Sequence, residues 1–273
     1  MRYMLSLSYD GSAFCGWQIQ PSSPSVQQCL EEALGKLCRT PVAVTGAGRT
    51  DTGVHAAGYV AHFDLTGALP FEASDFCYKL NAILPRGIAV HSVLPAADDF
   101  HARFSATLRS YTYFIHRKKD PFVAAYSWQC GIPGLDFDAM NAACPYLLGT
   151  HDFSCFEKTG GANKTSLCTV TEAFWAPYKP SLYTVISSEA KESRPVISSE
   201  AGGGVEKSDY WYFRVSADRF LRNMVRAIVG TLIEVGRGKH DPEWVKDLIE
   251  TGTRGDAGES VPGHALFLTK VRY

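Results

Sequence analysis

Tyr3, Leu5, Leu7 and Tyr9 alternate with small or polar neighbours, the period-two pattern of a strand with one buried face, and Asp10-Gly11 ends it. From Ser25 the period lengthens. Val26, Leu30, Ala33, Leu34 and Leu37 fall on one side of a helix, with Ser25 as its cap and Gln28 at the capping-box position. Residues 41–46 and 58–65 read as strands. A second helix with Phe76, Leu80, Ile83 and Leu84 inward stops at Pro85, and Ile88 to Leu94 is again a strand.

The order recurs in the second half. A strand from Leu108 to Arg117 is followed by a helix near Phe137 to Leu148 and by strands at Ser166 to Trp175 and Asp209 to Ser216. A long helix from Arg219 to Val235 follows, then a short one after Asp241-Pro242, where Asp caps and Pro takes the first turn. A strand from Ala265 to Tyr273 closes the chain. The pattern predicts an α+β fold of two similar halves, each a mainly antiparallel sheet with helices on one face, facing each other across a cleft. The boundary falls near residues 100 to 108, dividing 1–105 from 106–273. Val-Ile-Ser-Ser-Glu-Ala occurs at 185–190 and again at 196–201. This duplicated insertion at 185–205 has too little apolar content to order itself and is expected to be a flexible, dispensable loop.

With 273 residues, 45% apolar and 20% charged, the composition is that of an ordinary globular chain with a large core. A net charge of -1 excludes binding of nucleic acid through bulk positive charge, but it conceals two basic runs. His101 to Lys119 holds Arg103, Arg109, Arg117, Lys118 and Lys119 with no acid, and Arg219 to His240 holds five cations against Glu234. The opening residues contain no long apolar run, so no signal peptide or membrane span is expected and the cytoplasm is the expected location. Eight cysteines, none closer than nine positions to the next, form no Cys-x-x-Cys, and the eight histidines form no His-x-x-x-His pair. Buried free thiols are expected, and no metal site.

Residues 46 to 56 read Gly-Ala-Gly-Arg-Thr-Asp-Thr-Gly-Val-His-Ala. One carboxylate, Asp51, stands between two threonines with Arg49 two positions before it and glycines on both sides. Gly46, Gly48 and Gly53 allow sharp bends and close approach of a ligand, and Thr50 and Thr52 can lock the turn. Gly48 to Gly53 has the spacing of a phosphate loop, but Val54 and His55 follow where Lys and Ser or Thr are needed, which argues against nucleotide-phosphate chemistry.

Four further segments stand with this loop: Tyr9 to Gln18 (YDGSAFCGWQ), His101 to Ala106 (HARFSA), Arg109 to Tyr113 (RSYTY) and Phe220 to Gly230 (FLRNMVRAIVG). Together they closely resemble the tRNA pseudouridine synthase A family, and the resemblance runs nearly end to end. It implies isomerisation of uridine to pseudouridine at positions 38 to 40 in the anticodon arm of tRNA, by a cofactor-free homodimer. It also implies that Asp51 is the catalytic aspartate and that the cleft is basic. A non-catalytic tRNA-binding protein built on the same basic runs is the rival reading.

The resemblance assigns Arg226, on the long helix, to reach Asp51 from the second half. By periodicity alone Arg226 lies beside the buried stripe of Met224, Ala227, Ile228 and Leu232 and could face inward or, with Arg222, form a solvated ridge. Tyr111 shares a strand face with Arg109, Tyr113 and Ile115, where core packing is the ordinary role. The family instead places the first tyrosine against the target uracil. Arg49 and Arg103 are assigned to phosphate contact or base displacement, as guanidinium forks suit both, with an Arg49–Asp10 ion pair as the structural alternative.

Overall fold

The computed structural model describes residues 1–21, 23–158, 160, 165–180 and 208–273. The duplicated segment at 185–205 lies outside them. In chain order the elements are β1 (Arg2–Tyr9), α1 (Val26–Cys38), β2 (Val44–Gly46), β3 (His55–Asp64), α2 (Ala73–Ile83), β4 (Ile88–Ala96), β5 (Leu108–His116) and β6 (Trp128–Gln129). They continue as α3 (Phe137–Ala143), β7 (Gly149–Asp152), β8 (Leu167–Pro177), β9 (Tyr210–Ala217), α4 (Met224–Gly236), α5 (Trp244–Thr251) and β10 (Leu266–Arg272).

The fold is α+β, and its strands form one continuous sheet in the order β4-β1-β3-β10-β5-β9-β8-β7, with β2 against β3 and β6 against β5. All pairings are antiparallel except β10 with β3 and β6 with β5. The last strand is therefore the seam. It enters between β3 of the first half and β5 of the second, so the backbone hydrogen bonds of one segment fix the spacing of both.

Two apolar clusters fill the interior. Leu5, Leu7, Leu30, Leu34, Phe63, Phe76 and Leu80 belong to the first, and Tyr113, Ile115, Met140, Phe213, Ile228 and Leu232 to the second. Tyr111 packs against both. Since Tyr111, Tyr113 and Ile115 point to the same side of β5, the helices of both halves cover the same face of the shared sheet. Tyr111 stands where the two helical layers meet.

Several elements depart from the sequence pattern for local reasons. The long helix starts at Met224 rather than Arg219, because Asn223 takes a left-handed φ of 66° and the chain before it is not helical. Pro145 breaks the helix near 137–148 into α3 and a 3-10 turn at Cys144–Leu147. Ile83, expected inward, is 39% exposed. It falls at the last position of α2, and the next residue, Leu84, is buried instead. Of the eight free cysteines only Cys130, Cys144, Cys155 and Cys168 are buried. Burial raises the thiols of the last three to about 12, so they remain protonated and inert. Among the described residues no helix is long and apolar enough to cross a membrane.

Candidate active site

Strand register brings the Asp51 loop to Tyr111. Leu268 of β10 is paired on one side with Ala56 and on the other with Tyr111, so Tyr111 lies two strands, about 10 Å, from the strand that leaves the loop. The loop occupies residues 47–54, between β2 and β3. Its outer turn is closed by a bond from the Val54 amide to the Asp51 carbonyl at 3.1 Å and passes through Gly53 at φ 76°. That angle strains any residue with a Cβ.

The loop is pinned on three sides. Thr50 binds the Tyr9 hydroxyl through Oγ1 at 2.9 Å, and its carbonyl accepts from the Trp17 amide at 3.2 Å. The buried Tyr59 hydroxyl donates to the Gly48 carbonyl, and the Tyr59 ring stacks on Trp17 with centroids 4.2 Å apart. Gly46 is needed for this packing and not, as expected, for approach to a ligand. A Cβ there would overlap the Tyr59 hydroxyl and the Trp17 ring. Gly48 has open space around it and no positive φ.

Arg109 supplies the third anchor. Its guanidinium donates through Nε and Nη2 to the Ala47 carbonyl at 3.3 and 2.9 Å, through Nη2 to Arg103 at 2.5 Å, and through Nη1 to Asp218 at 2.6 Å and Ala106 at 3.4 Å. One side chain thus ties the Asp51 loop, the 101–106 turn and the end of β9 together. Its position beside Tyr111 and Tyr113 was the available signal, because a cation on a largely buried strand face must find acceptors.

Asp51 meets its cation across the seam. Arg226, in the first turn of α4, places Nη1 3.3 Å from Asp51 Oδ2 while its Nε donates to the Val261 carbonyl at 2.7 Å. The inward alternative for Arg226 is therefore the observed one. The Asp51 side chain remains 34% exposed, enough for a substrate atom to reach it. Tyr111 completes the group. Burial pushes its hydroxyl up to about 12, Arg109 opposing and the Asp51 charge adding to the shift. The Phe220 ring stands nearly perpendicular to it, at 86° with centroids 5.1 Å apart, an arrangement made possible by the non-helical 219–223 segment.

Asp51, Tyr111 and Arg226 come together; Arg49 and Arg103 stand apart from the carboxylate. Arg49 is exposed, with neither Asp51 nor Asp10 as a partner. Asp10 instead caps the 3-10 turn at Gly11–Ala13 and accepts from Tyr126 at 3.0 Å. Arg103 is exposed over the Phe104 ring at 5.5 Å, its carbonyl held by Arg109. Both arginines are open to a polyanion.

His55 holds the back of the loop. Its Nδ1 accepts from the Gly11 amide at 3.0 Å and its Nε2 donates to the His264 carbonyl at 2.9 Å, which assigns the neutral tautomer with the proton on Nε2. Burial lowers its pKa, although the His264 carbonyl and Asp10 work the other way. A neutral ring is thus built into the fold 3.1 Å from Asp10.

The two basic runs do not form continuous patches. Arg109 and Arg117 donate to backbone carbonyls, Lys118 pairs with Asp209 at 2.7 Å, and Arg237 and Lys239 both pair with Glu234. A sum of charges along the chain registers Glu234, which lies in the second run itself, but not the partners of Arg109, Arg117 and Lys118, which come from other strands or turns. Among the described residues no group of three His, Cys, Asp or Glu side chains is placed to hold a metal ion.

The sequence model of the family described as tRNA pseudouridine synthase matches residues 6–105 and 143–273, two stretches that contain Asp51 and Arg226. Proteins named tRNA pseudouridine synthase A from Parabacteroides distasonis, Porphyromonas gingivalis and Bacteroides fragilis are 45%, 42% and 42% identical to this chain. Each alignment covers 100% of the chain and 96%, 97% and 96% of the respective relative. With both halves matched and full-length relatives at this identity, the chain belongs to the tRNA pseudouridine synthase family.

Proposed function

We propose that the protein converts uridine to pseudouridine in tRNA, at positions 38, 39 and 40 of the anticodon stem-loop, with Asp51 as the catalytic carboxylate acting on a base turned out of the stem. The observation that carries this reading is the Asp51 carboxylate, 3.3 Å from the Arg226 guanidinium and still one-third open. The name of the relatives supports tRNA as the substrate, and the resemblance of the motifs supports the anticodon positions.

The reaction breaks the bond between uracil N1 and ribose C1′, turns the base while it is held, and joins C5 to C1′. A proton leaves C5 and one arrives at N1, so the product is an isomer. No electron is exchanged with an outside partner and no group departs, so the chemistry calls for no cofactor. Asp51 serves at the sugar, by attack on C1′ or by promoting elimination there, while Arg226 positions its carboxylate across the seam. The Tyr111 ring provides an aromatic surface for the unstacked base, worth roughly 1 to 3 kcal/mol. That is comparable with the few kcal/mol, approximately, needed to extrude a base. Arg49 and Arg103, exposed and without acidic partners among the described residues, serve as phosphate or stacking contacts. The same reading places the protein in the cytoplasm as a homodimer, in which one subunit supports the arm whose target enters the other's cleft. Light scattering gives twice the chain mass if so.

The test is incubation of the purified protein with unmodified tRNA transcripts, followed by carbodiimide derivatisation and mapping. Mass-neutral conversion at positions 38 to 40 is expected. Conversion elsewhere would remove the positional assignment, and tRNA binding with no conversion would make this a non-catalytic tRNA-binding protein.

A further inference from the structure

Arg226 faces more than Asp51. It also lines a basic pocket of about 280 Å³ together with Lys158, Asn223, Arg254 and Ser260. Arg254 donates from Nη1 to the carbonyls of Ala257 and Gly258 at 3.4 and 3.0 Å and from Nη2 to Ser260 Oγ at 2.9 Å. Asn223 Nδ2 donates to the same Oγ at 2.5 Å. A hydroxyl that already accepts two bonds has only its proton left to offer. The left-handed backbone of Asn223 sets this geometry just before α4.

Among the described residues the lining therefore presents three cations, a hydroxyl donor and an amide, and no carboxylate. Lys158 is exposed and its ammonium has no ion-pair partner among the described residues. Arg226 uses Nε on Val261 and Nη1 on Asp51, and among the described residues Nη2 has no hydrogen-bond partner, which leaves it available to the pocket the side chain lines. Such a donor-rich cavity suits a singly charged phosphate group rather than a base edge, which would also need acceptors.

We propose that this pocket binds a backbone phosphodiester of the RNA adjoining the nucleotide that reacts at Asp51, with Lys158 as its solvent-side cation. The proposal rests on the functional reading above and adds to it a subsite. Arg226 becomes the link between the two, one edge on the carboxylate and the other on the strand. Lys158 lies in neither basic run of the sequence, so charge counting along the chain gives no sign of it.

The experiment compares wild type, Lys158→Ala and Lys158→Arg by tRNA affinity across a salt series and by KM and kcat. Removing one cation from a phosphate makes the plot of log affinity against log salt shallower by about 0.7 to 0.9. Lys158→Ala is expected to show that change and a several-fold higher KM with little change in kcat, and Lys158→Arg to restore the slope. An anticodon-arm RNA with one neutral methylphosphonate linkage beside the target uridine then removes the difference between wild type and Lys158→Ala. Equal slopes for the two proteins, or a difference that persists with neutral linkages on either side, would overturn the proposal. Competition by free inorganic phosphate at matched ionic strength, with no effect of the neutral linkage, would overturn it in favour of a free-anion site. A wild type that binds tRNA yet makes no pseudouridine sinks the functional reading instead, while the slope comparison still decides whether Lys158 meets a phosphate.

Discussion

Arg109→Ala removes the side chain that ties the Asp51 loop to the second half, and the size of the effect can be worked from its bonds. Three of its hydrogen bonds are short, to Ala47, Arg103 and Asp218 at 2.9, 2.5 and 2.6 Å. A hydrogen bond to a charged group contributes about 1.5 to 3 kcal/mol. The orphaned carbonyls lie close enough to the surface to take up water, so the lower end applies, and the total loss is about 3 to 5 kcal/mol. For a chain of this size that is a fall in Tm of roughly 6 to 20 °C. Arg109→Lys recovers less than half of it, because one ammonium cannot span acceptors on three segments. Thermal unfolding measures the loss. Turnover on tRNA, taken well below the variant's Tm, then reads the second effect. With Ala47 untied the Asp51 loop shifts, and a displacement of the order of 1 Å at a reacting group costs about a hundredfold in rate. A Tm within 2 °C of wild type together with unchanged turnover would refute the clamp.

Other expectations follow from single side chains. Tyr111→Phe keeps the aromatic face and is expected to hold tRNA affinity within twofold, whereas Tyr111→Ala weakens it by about 5- to 150-fold, the equivalent of roughly 1 to 3 kcal/mol; equal affinities would remove the ring from the base-binding surface. Gly53→Ala forces a Cβ into φ 76° and is expected to lower Tm by a few degrees, an effect of about 1 kcal/mol, and to reduce kcat more than affinity, so a variant with wild-type kcat would show that the turn does not aim Asp51. His62 is buried and accepts from the Ala102 amide through Nδ1 at 3.1 Å. Burial first, then Arg2 and His101, lower its pKa from 6.5 to about 4, so the unfolded chain takes up the proton first and stability falls as pH drops from 6.5 towards 4, being fully present above 6.5. His62→Gln should flatten Tm against pH in that window, and parallel curves for the two proteins would contradict the assignment.

Most of the secondary structure was legible because alternation and helical periodicity record burial directly, as at Tyr3 to Tyr9 and along Val26 to Leu34. The continuous sheet was less so. Which strand lies beside which is a long-range fact, and nothing in the local pattern of Leu266 to Arg272 says that it enters between His55–Asp64 and Leu108–His116. The helix start was also hidden, since the left-handed φ of Asn223 that sets it leaves no mark on the apolar periodicity, and the non-helical stretch before it brings Phe220 to Tyr111. At the site, Asp51 was legible because its loop is short and chemically unusual. Tyr111 and Arg226 had ordinary local explanations and were separated from them only by the family resemblance. Arg109 and Lys158 stayed hidden, one because its partners are backbone carbonyls from three segments, the other because its setting is made by the turn at 253–261.

Asp51→Asn bears most directly on the central claim. The substitution keeps the size of the side chain and removes its charge, so the loop retains its anchors at Thr50, Gly48 and Ala47. Single-turnover conversion of tRNA and tRNA affinity are measured on the same preparation. Loss of pseudouridine formation by at least about a thousandfold with tRNA still bound is expected from removing a group that acts at the reacting atoms. Turnover near that of wild type would mean that the carboxylate facing Arg226 is not where the chemistry occurs.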